Sequence, residues 1–242
     1  MNFPKLDILA LAAHPDDVEL SCSGTILTHL AQGYKIGIID FTEGELGTRG
    51  TPETRKAEAK NAAEILKIDV RENLAFADGF FRNDQEHQIR VIEIIRRYRP
   101  TIILANAISD RHIDHGRAAQ LTHDACFLSG LRKIHTKDID GSEQEAWRPQ
   151  TIYHYLQDRY LHPDLVVDIT PYWDVKLQAI KAFKTQFFHA DSTEPETPIS
   201  SNEFFQFLEG RAREMGRLIG TTYGEGFMKH TPIGTTNLMS LL

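Results

Sequence analysis

Residues 6–13, Leu6-Asp7-Ile8-Leu9-Ala10-Leu11-Ala12-Ala13, run straight into His14-Pro15-Asp16-Asp17-Val18-Glu19. The first stretch is apolar everywhere except Asp7. A short, nearly unbroken apolar run reads as a strand buried on both faces, as in a parallel sheet. A polar turn ends it, and a helical pattern follows over residues 20–32, with Gly33 placed to stop the helix. Strand, polar turn and helix in that order form the first half of a βαβ unit. Ligands of such sheets gather beyond the carboxyl ends of the strands.

The alternation continues outward. Residues 35–41 read as a second buried strand, and 42–51 as a loop holding Gly44, Gly47 and Gly50. Residues 52–66 read as a helix with Pro52 in its first turn. Another helix spans 84–97 and is closed by Pro100; a third buried strand spans 101–105. A polar loop over 106–114 leads into a helix over 116–129. Beyond Ser129 the pattern weakens, with strands expected at 151–155 and 165–168 and helices at 172–184 and 204–218. Residues 191–201 contain Pro195 and Pro198 and read as a surface loop in preference to a lid or an oligomer contact. The expectation is an α/β fold with a mostly parallel sheet flanked by helices, one domain over residues 1–242.

Composition narrows the function. Lys plus Arg is 27 against 34 Asp plus Glu, a formal charge of −7. That balance suits neither nucleic-acid phosphates nor an anionic surface. No stretch approaches the ~20 apolar residues of a membrane span. The start of the chain lacks a basic segment followed by an apolar one, so no signal peptide is read and a cytoplasmic location is expected. Cys22 and Cys126 form no C-x-x-C. They fit a reducing compartment and exclude a disulfide framework or a cysteine zinc site. The eleven histidines are the unusual feature, because imidazole is the commonest metal ligand.

Two histidine-bearing loops follow buried strands: residues 13–19 and residues 109–115, Ser109-Asp110-Arg111-His112-Ile113-Asp114-His115. In a parallel sheet they can converge despite their separation. His14, Asp17 and His115 would then supply two imidazoles and one carboxylate, a catalytic zinc set that leaves one position open. Asp16 would stand beside the metal as general base. His112 would face the substrate as a donor, and Asp114 would hold an imidazole in its tautomer. Blander roles stay open for each: Asp16 or Asp17 as a helix N-cap, His112 and His115 as solvated loop residues. The other eight histidines lack ligand spacing and read as structural or surface residues. A dinucleotide site is disfavoured, because G-x-G-x-x-G is missing from the first turn and its carboxylates would repel a pyrophosphate.

A-H-P-D-D-V-E at 13–19 and R-H-I-D-H at 111–115 together resemble the zinc-dependent N-acetylglucosaminyl deacetylases of the PIG-L/LmbE type. F-T-E-G-E-L-G-T-R-G at 41–50 and T-R-K-A-E-A at 54–59 extend the resemblance. F-K-T-Q-F at 183–187 and Y-G-E-G-F at 223–227 resemble the bacillithiol-biosynthesis branch; residues 138–146 resemble the family least. The resemblance implies a Rossmann-like sheet, zinc on His14, Asp17 and His115, Asp16 as base, and His112 on the oxyanion or leaving amine with Asp114 orienting it. It also implies Glu45, Arg55 and Arg111 near the substrate, N-acetylglucosaminyl malate as that substrate, and a homo-oligomer. Arg49, Arg55 and Arg111 are the candidates for holding malate carboxylates, since guanidinium pairs with carboxylate in bidentate fashion. Two readings stay beside this one: a deacetylase of another small amino-sugar conjugate, and a non-catalytic sugar-binding protein.

Overall fold

The computed structural model describes residues 3–187 and 193–241. Its centre is β1 (Ile8–Ala12), buried at all five positions. Alternate side chains serve opposite faces, as the pleat requires. Leu9 and Leu11 join one core cluster, while Ile8, Ala10 and Ala12 join another.

Parallel strands extend the sheet on both sides. β2 (Ile36–Thr42) and β3 (Val70–Phe76) lie to one side of β1, and β4 (Ile102–Ala105) and β5 (Thr151–Tyr155) to the other. β6 (Leu165–Asp168) and β7 (Gly224–Met228) complete seven strands in the order β3-β2-β1-β4-β5-β7-β6. β7 runs antiparallel to both its neighbours. Helices α1 (Asp17–Leu30), α2 (Pro52–Leu66) and α5 (Trp173–Lys181) pack together on one face. Helices α3 (Gln85–Tyr98) and α4 (Ile113–Ser129) pair on the other, and α6 (Asn202–Leu218) lies against β6 and β7. The expected α/β sheet, mostly parallel and helix-flanked, is the observed one.

Several boundaries differ for physical reasons. α1 begins at Asp17, so the turn is only as long as Ala13-His14-Pro15-Asp16. α4 begins at Ile113 because His112 caps it, which puts Asp114 and His115 in its first turn and not in the loop. Two strands were not expected. β3 lies at the sheet edge and carries Arg71, Glu72 and Asn73, so it lacks an apolar run. β7 contains two glycines and Glu225, which read as turn residues. His189 and the first two residues of the 191–201 loop lie outside the described residues. Both cysteines are buried and unpaired, and among the described residues no helix is long and apolar enough to cross a membrane.

Strand order reverses direction between β1 and β4, which are hydrogen-bonded neighbours. Their following turns therefore part to opposite faces and leave a crevice at the carboxyl edge, the usual ligand position in such sheets.

Candidate active site

The turn after β1 is held in a costly conformation. Asp16 has φ 114° and ψ −23°, a region side-chain-bearing residues rarely occupy. Strain of this kind persists where the surroundings over-determine it, and here they do. Nη2 of Arg55, from α2, donates to the Pro15 carbonyl and to Asp16 Oδ2, the latter at 3.2 Å. Gly44 leaves room for that guanidinium: a Cβ there would lie 2.3 Å from Arg55 Nη1. Burial raises the Asp16 carboxyl to about 7, against the opposing charge of Arg55 and with the neighbouring Asp17 carboxylate adding to the rise.

Asp17 is locked from four sides. One oxygen accepts from the His14 amide at 3.0 Å and from Asn106 Nδ2 at 2.9 Å. The other accepts from Gln157 Nε2 at 3.0 Å and faces His115 Nε2 at 3.1 Å. Burial alone would raise its pKa, but His115 and His14 hold it well below the usual carboxylate range.

The two imidazoles approach Asp17 in mirrored fashion. His14 turns Nε2 outward to Asp78 at 3.0 Å and Asp114 at 3.3 Å, leaving Nδ1 3.8 Å from Asp17. His115 turns Nδ1 outward to Asp110 at 2.5 Å, leaving Nε2 toward Asp17. Burial disfavours the charged rings. Asp114, Asp78 and Asp17 nevertheless raise His14 to about 10, and Asp17 and Asp110 raise His115 to about 9. Each ring thus has its outer nitrogen tied to carboxylate and its inner nitrogen aimed at one point. Such outer partners fix the tautomer and orientation of metal-binding histidines.

His112 is half-buried above this point, its ring 4.6 Å from His14 and 5.2 Å from His115. Nδ1 accepts the Asp114 amide at 3.3 Å, so the proton of the neutral ring sits on Nε2. Burial and the nearby His14 and His115 lower its pKa, which keeps it neutral. The expected pairing of Asp114 with His112 is corrected here. The Asp114 carboxylate instead serves His14, the Gly79 amide at 2.8 Å and Arg117 at 2.6 Å, and only its backbone touches His112. Burial pushes this carboxyl up, but those donors hold its pKa down.

The three outer residues divide. Arg111 lines the cavity, half-exposed and 3.3 Å from Asp158. Arg55 lines it too, but is committed to Asp16. Glu45 is exposed, and its carboxylate accepts the Asp78 amide at 2.7 Å, which directs it to a turn and not into the cavity. Arg49 is buried in the cavity wall, and its carbonyl accepts from Gln186.

The profile described as PIG-L, GlcNAc-PI de-N-acetylase, matches residues 9–126, which carry both histidine loops. The crystal structure of a conserved protein from Thermus thermophilus superposes with a TM-score of 0.83 at 33% identity, covering 96% of this chain and 97% of that one. The chain belongs to the PIG-L family. Among curated proteins, the diacetylchitobiose deacetylase of Thermococcus kodakarensis is 28% identical over 90% of this chain and 81% of its own length. The 4-oxalmesaconate hydratase of Pseudomonas putida is also 28% identical, over 77% of this chain and 76% of its own.

In this PIG-L chain the cavity above the cluster holds about 450 Å³. Phe204, Phe207, Leu208 and Arg211 of α6 form one wall. Thr197, Pro198 and Ile199 line it as well, so the second half of the 191–201 loop borders the cavity and is more than plain surface. The sequence reading missed Asp78, Asn106 and Gln157 as site residues. Asp78 follows β3; had that strand been read, its polar turn would have pointed to the same sheet edge. Asn106 and Gln157 follow β4 and β5 and carry no motif.

Proposed function

We propose that this chain is a zinc-dependent hydrolase that removes the N-acetyl group from an N-acetylglucosaminyl conjugate, with N-acetylglucosaminyl malate as its substrate. One observation carries the reading: His14 and His115 each bind a carboxylate through the outer nitrogen and turn the inner one to Asp17, beside a buried Asp16. Two imidazoles and one carboxylate fit Zn²⁺ with an open position, and the residues that would hold it are His14, Asp17 and His115. When bound, the metal would polarise the acetamide carbonyl and acidify water.

The chain's own groups do the rest. Asp16, near 7, takes the proton of the attacking water. His112 donates from Nε2 to the carbonyl oxygen as negative charge develops there. Because His112 stays neutral, the amine receives its proton from Asp16 as the C–N bond breaks. Arg55 places Asp16 and is thereby removed from the set expected to grip malate. Arg111 and Arg211 take that role, since both line the cavity. The family resemblance supports a homo-oligomer, and the two unpaired cysteines support a cytoplasmic location.

The test is acetate release from N-acetylglucosaminyl malate, free N-acetylglucosamine and diacetylchitobiose, each with and without chelator. Chelator-sensitive release, fastest on the malate conjugate, is expected. The equal identity to a hydratase gives a second reading, addition of water to a carbon–carbon double bond by the same base and donor. Absent acetate together with chelator-sensitive consumption of 4-oxalmesaconate would replace the first reading with the second.

A further inference from the structure

Y-G-E-G-F at 223–227 carries a carboxylate that the proposed reaction does not use. Glu225 of β7 is buried and reaches the middle of α1. Its Oε1 accepts the Gly24 amide at 2.9 Å, and Oε2 accepts the Thr25 amide and hydroxyl, both at 2.6 Å. Lys176 of α5 joins them, its Nζ donating to Glu225 Oε1 at 2.6 Å and to the Leu20 carbonyl at 2.7 Å. Buried charges persist when they are paired and hydrogen-bonded, and Glu225 meets both conditions.

Lys176 meets them incompletely. An ammonium has three N–H donors. Among the described residues only two are taken, although the side chain is 3% exposed. A buried donor left without an acceptor is costly. Lys176 and Glu225 both line the cavity above the His14 cluster. Ser21, the residue after Leu20, lines it as well, and its hydroxyl makes no hydrogen bond to the described residues. Leu20 lies three residues beyond Asp17 on α1, roughly 4.5 Å along the axis, so a ligand held at Asp17 can reach this corner.

The chemistry of the corner selects its occupant. Glu225 cancels the charge of Lys176, so hydrogen bonds are offered without net charge. A carboxylate would be desolvated there with no cation of its own, whereas a hydroxyl needs none. The adjoining wall is apolar: a Cβ on Gly226 would lie 2.9 Å from Met215 Sδ and 3.0 Å from Leu156 Cδ1, and both residues line the cavity. A few polar groups among apolar walls are what small-molecule sites present. We propose that Lys176 and Ser21 form a hydroxyl-binding subsite of this cavity, for a neutral hydroxylated ring such as a pyranose. The subsite rests on the reading of the cavity as a sugar-conjugate site, and it leaves Arg111 and Arg211 to the anionic part.

The experiment measures Kd by calorimetry in Zn²⁺-saturated Asp16→Asn protein, which holds its ligand without turnover. N-acetylglucosamine, diacetylchitobiose and N-acetylglucosaminyl malate are compared, with Lys176→Met or Ser21→Ala added in turn. Lys176→Met is expected to weaken the neutral sugars roughly tenfold or more, and Ser21→Ala roughly threefold or more. Loss for both neutral sugars puts the reacting ring in the subsite; loss for diacetylchitobiose alone puts the second ring there. Loss confined to the malate conjugate would overturn the neutral-hydroxyl assignment, and equal Kd values throughout would overturn the subsite. Ser21→Ala removes a single oxygen, so it decides the question if Lys176→Met fails to fold. Acetate release by the wild type is read separately. Sugar binding without release would overturn the deacetylase reading and keep the subsite, whereas no binding of any of the three would overturn the subsite.

Discussion

The Asp78 carboxylate lies 3.0 Å from His14 Nε2, and the two residues are 64 apart in the chain. It sits on the side of the ring turned away from Asp17, so it sets which nitrogen faces the centre of the site. Asp78 also accepts the Leu46 amide at 3.0 Å, which keeps its carboxylate in place. Asp78→Ala should weaken Zn²⁺ binding by roughly 10–100-fold with little change in melting temperature. Asp78→Asn should retain part of the affinity, because its amide oxygen can still accept from the ring. Competition against a chromophoric chelator reads both values; an Asp78→Ala protein with wild-type affinity would refute the positioning role.

Asp16→Asn should keep its metal and lose about 10²–10⁴-fold in turnover, the usual worth of a positioned base. Arg55→Ala offers a finer test, since Arg55 is the larger of the two charges, with His14, that oppose the rise of the Asp16 pKa. The base must be ionised to act, so activity falls as pH drops through its pKa. Without Arg55 that pKa climbs further, and the acid limb of kcat/KM should move to higher pH. A divalent cation beside Asp17 lowers the limb in both proteins, so the comparison is made at saturating Zn²⁺. An unmoved acid limb in the Arg55 variant would assign the limb to another group.

The convergence of the two loops was legible because each follows a strand with an unmistakable apolar run. Residues 6–13 and 101–105 both read as buried strands of a parallel sheet, so their polar ends could share an edge, and the pairing of β1 with β4 brings them together. The partners of His14, His115 and Asp17 were not legible. Asp78 hides behind an edge strand whose first half carries the polar run Arg71-Glu72-Asn73, and Gln157 behind a strand half-covered by its neighbours. Nor does spacing reveal that Asp114 turns toward His14 instead of its near neighbour His112. That choice is made by the Gly79 amide and Arg117, which arrive from opposite sides of the carboxylate.

Metal uptake should release protons. His14 and His115 are held near 10 and 9 by their carboxylates, so at pH 7 both rings carry an extra proton before a cation arrives. A ligating imidazole must be neutral on the nitrogen it offers. About two protons should therefore leave per Zn²⁺ bound at pH 7, and affinity should rise with pH. Titrations in buffers of different ionisation enthalpy measure this number directly. A binding enthalpy independent of buffer would mean that these two rings are not the ligands.

Glu19 ends the motif at 13–19, yet it faces away from the cavity and shares Arg71 with Asp40. All three side chains are buried, and the second oxygen of Glu19 has no hydrogen-bond partner. Removing Arg71 leaves two carboxylates buried without a counter-charge, so Arg71→Ala should cost about 3–5 kcal/mol. The pH dependence separates this cause from lost packing. Burial already raises the Asp40 pKa in spite of Arg71, and without the cation it rises further. A carboxyl whose folded pKa exceeds its unfolded value stabilises the fold at acid pH and loses that contribution as pH rises through the folded pKa. The deficit of Arg71→Ala should therefore widen between pH 5 and pH 8, and adding Asp40→Asn should narrow it at pH 8. Thermal melts of the three proteins at both pH values decide the point: a pH-independent deficit would reduce Arg71 to a space-filling residue.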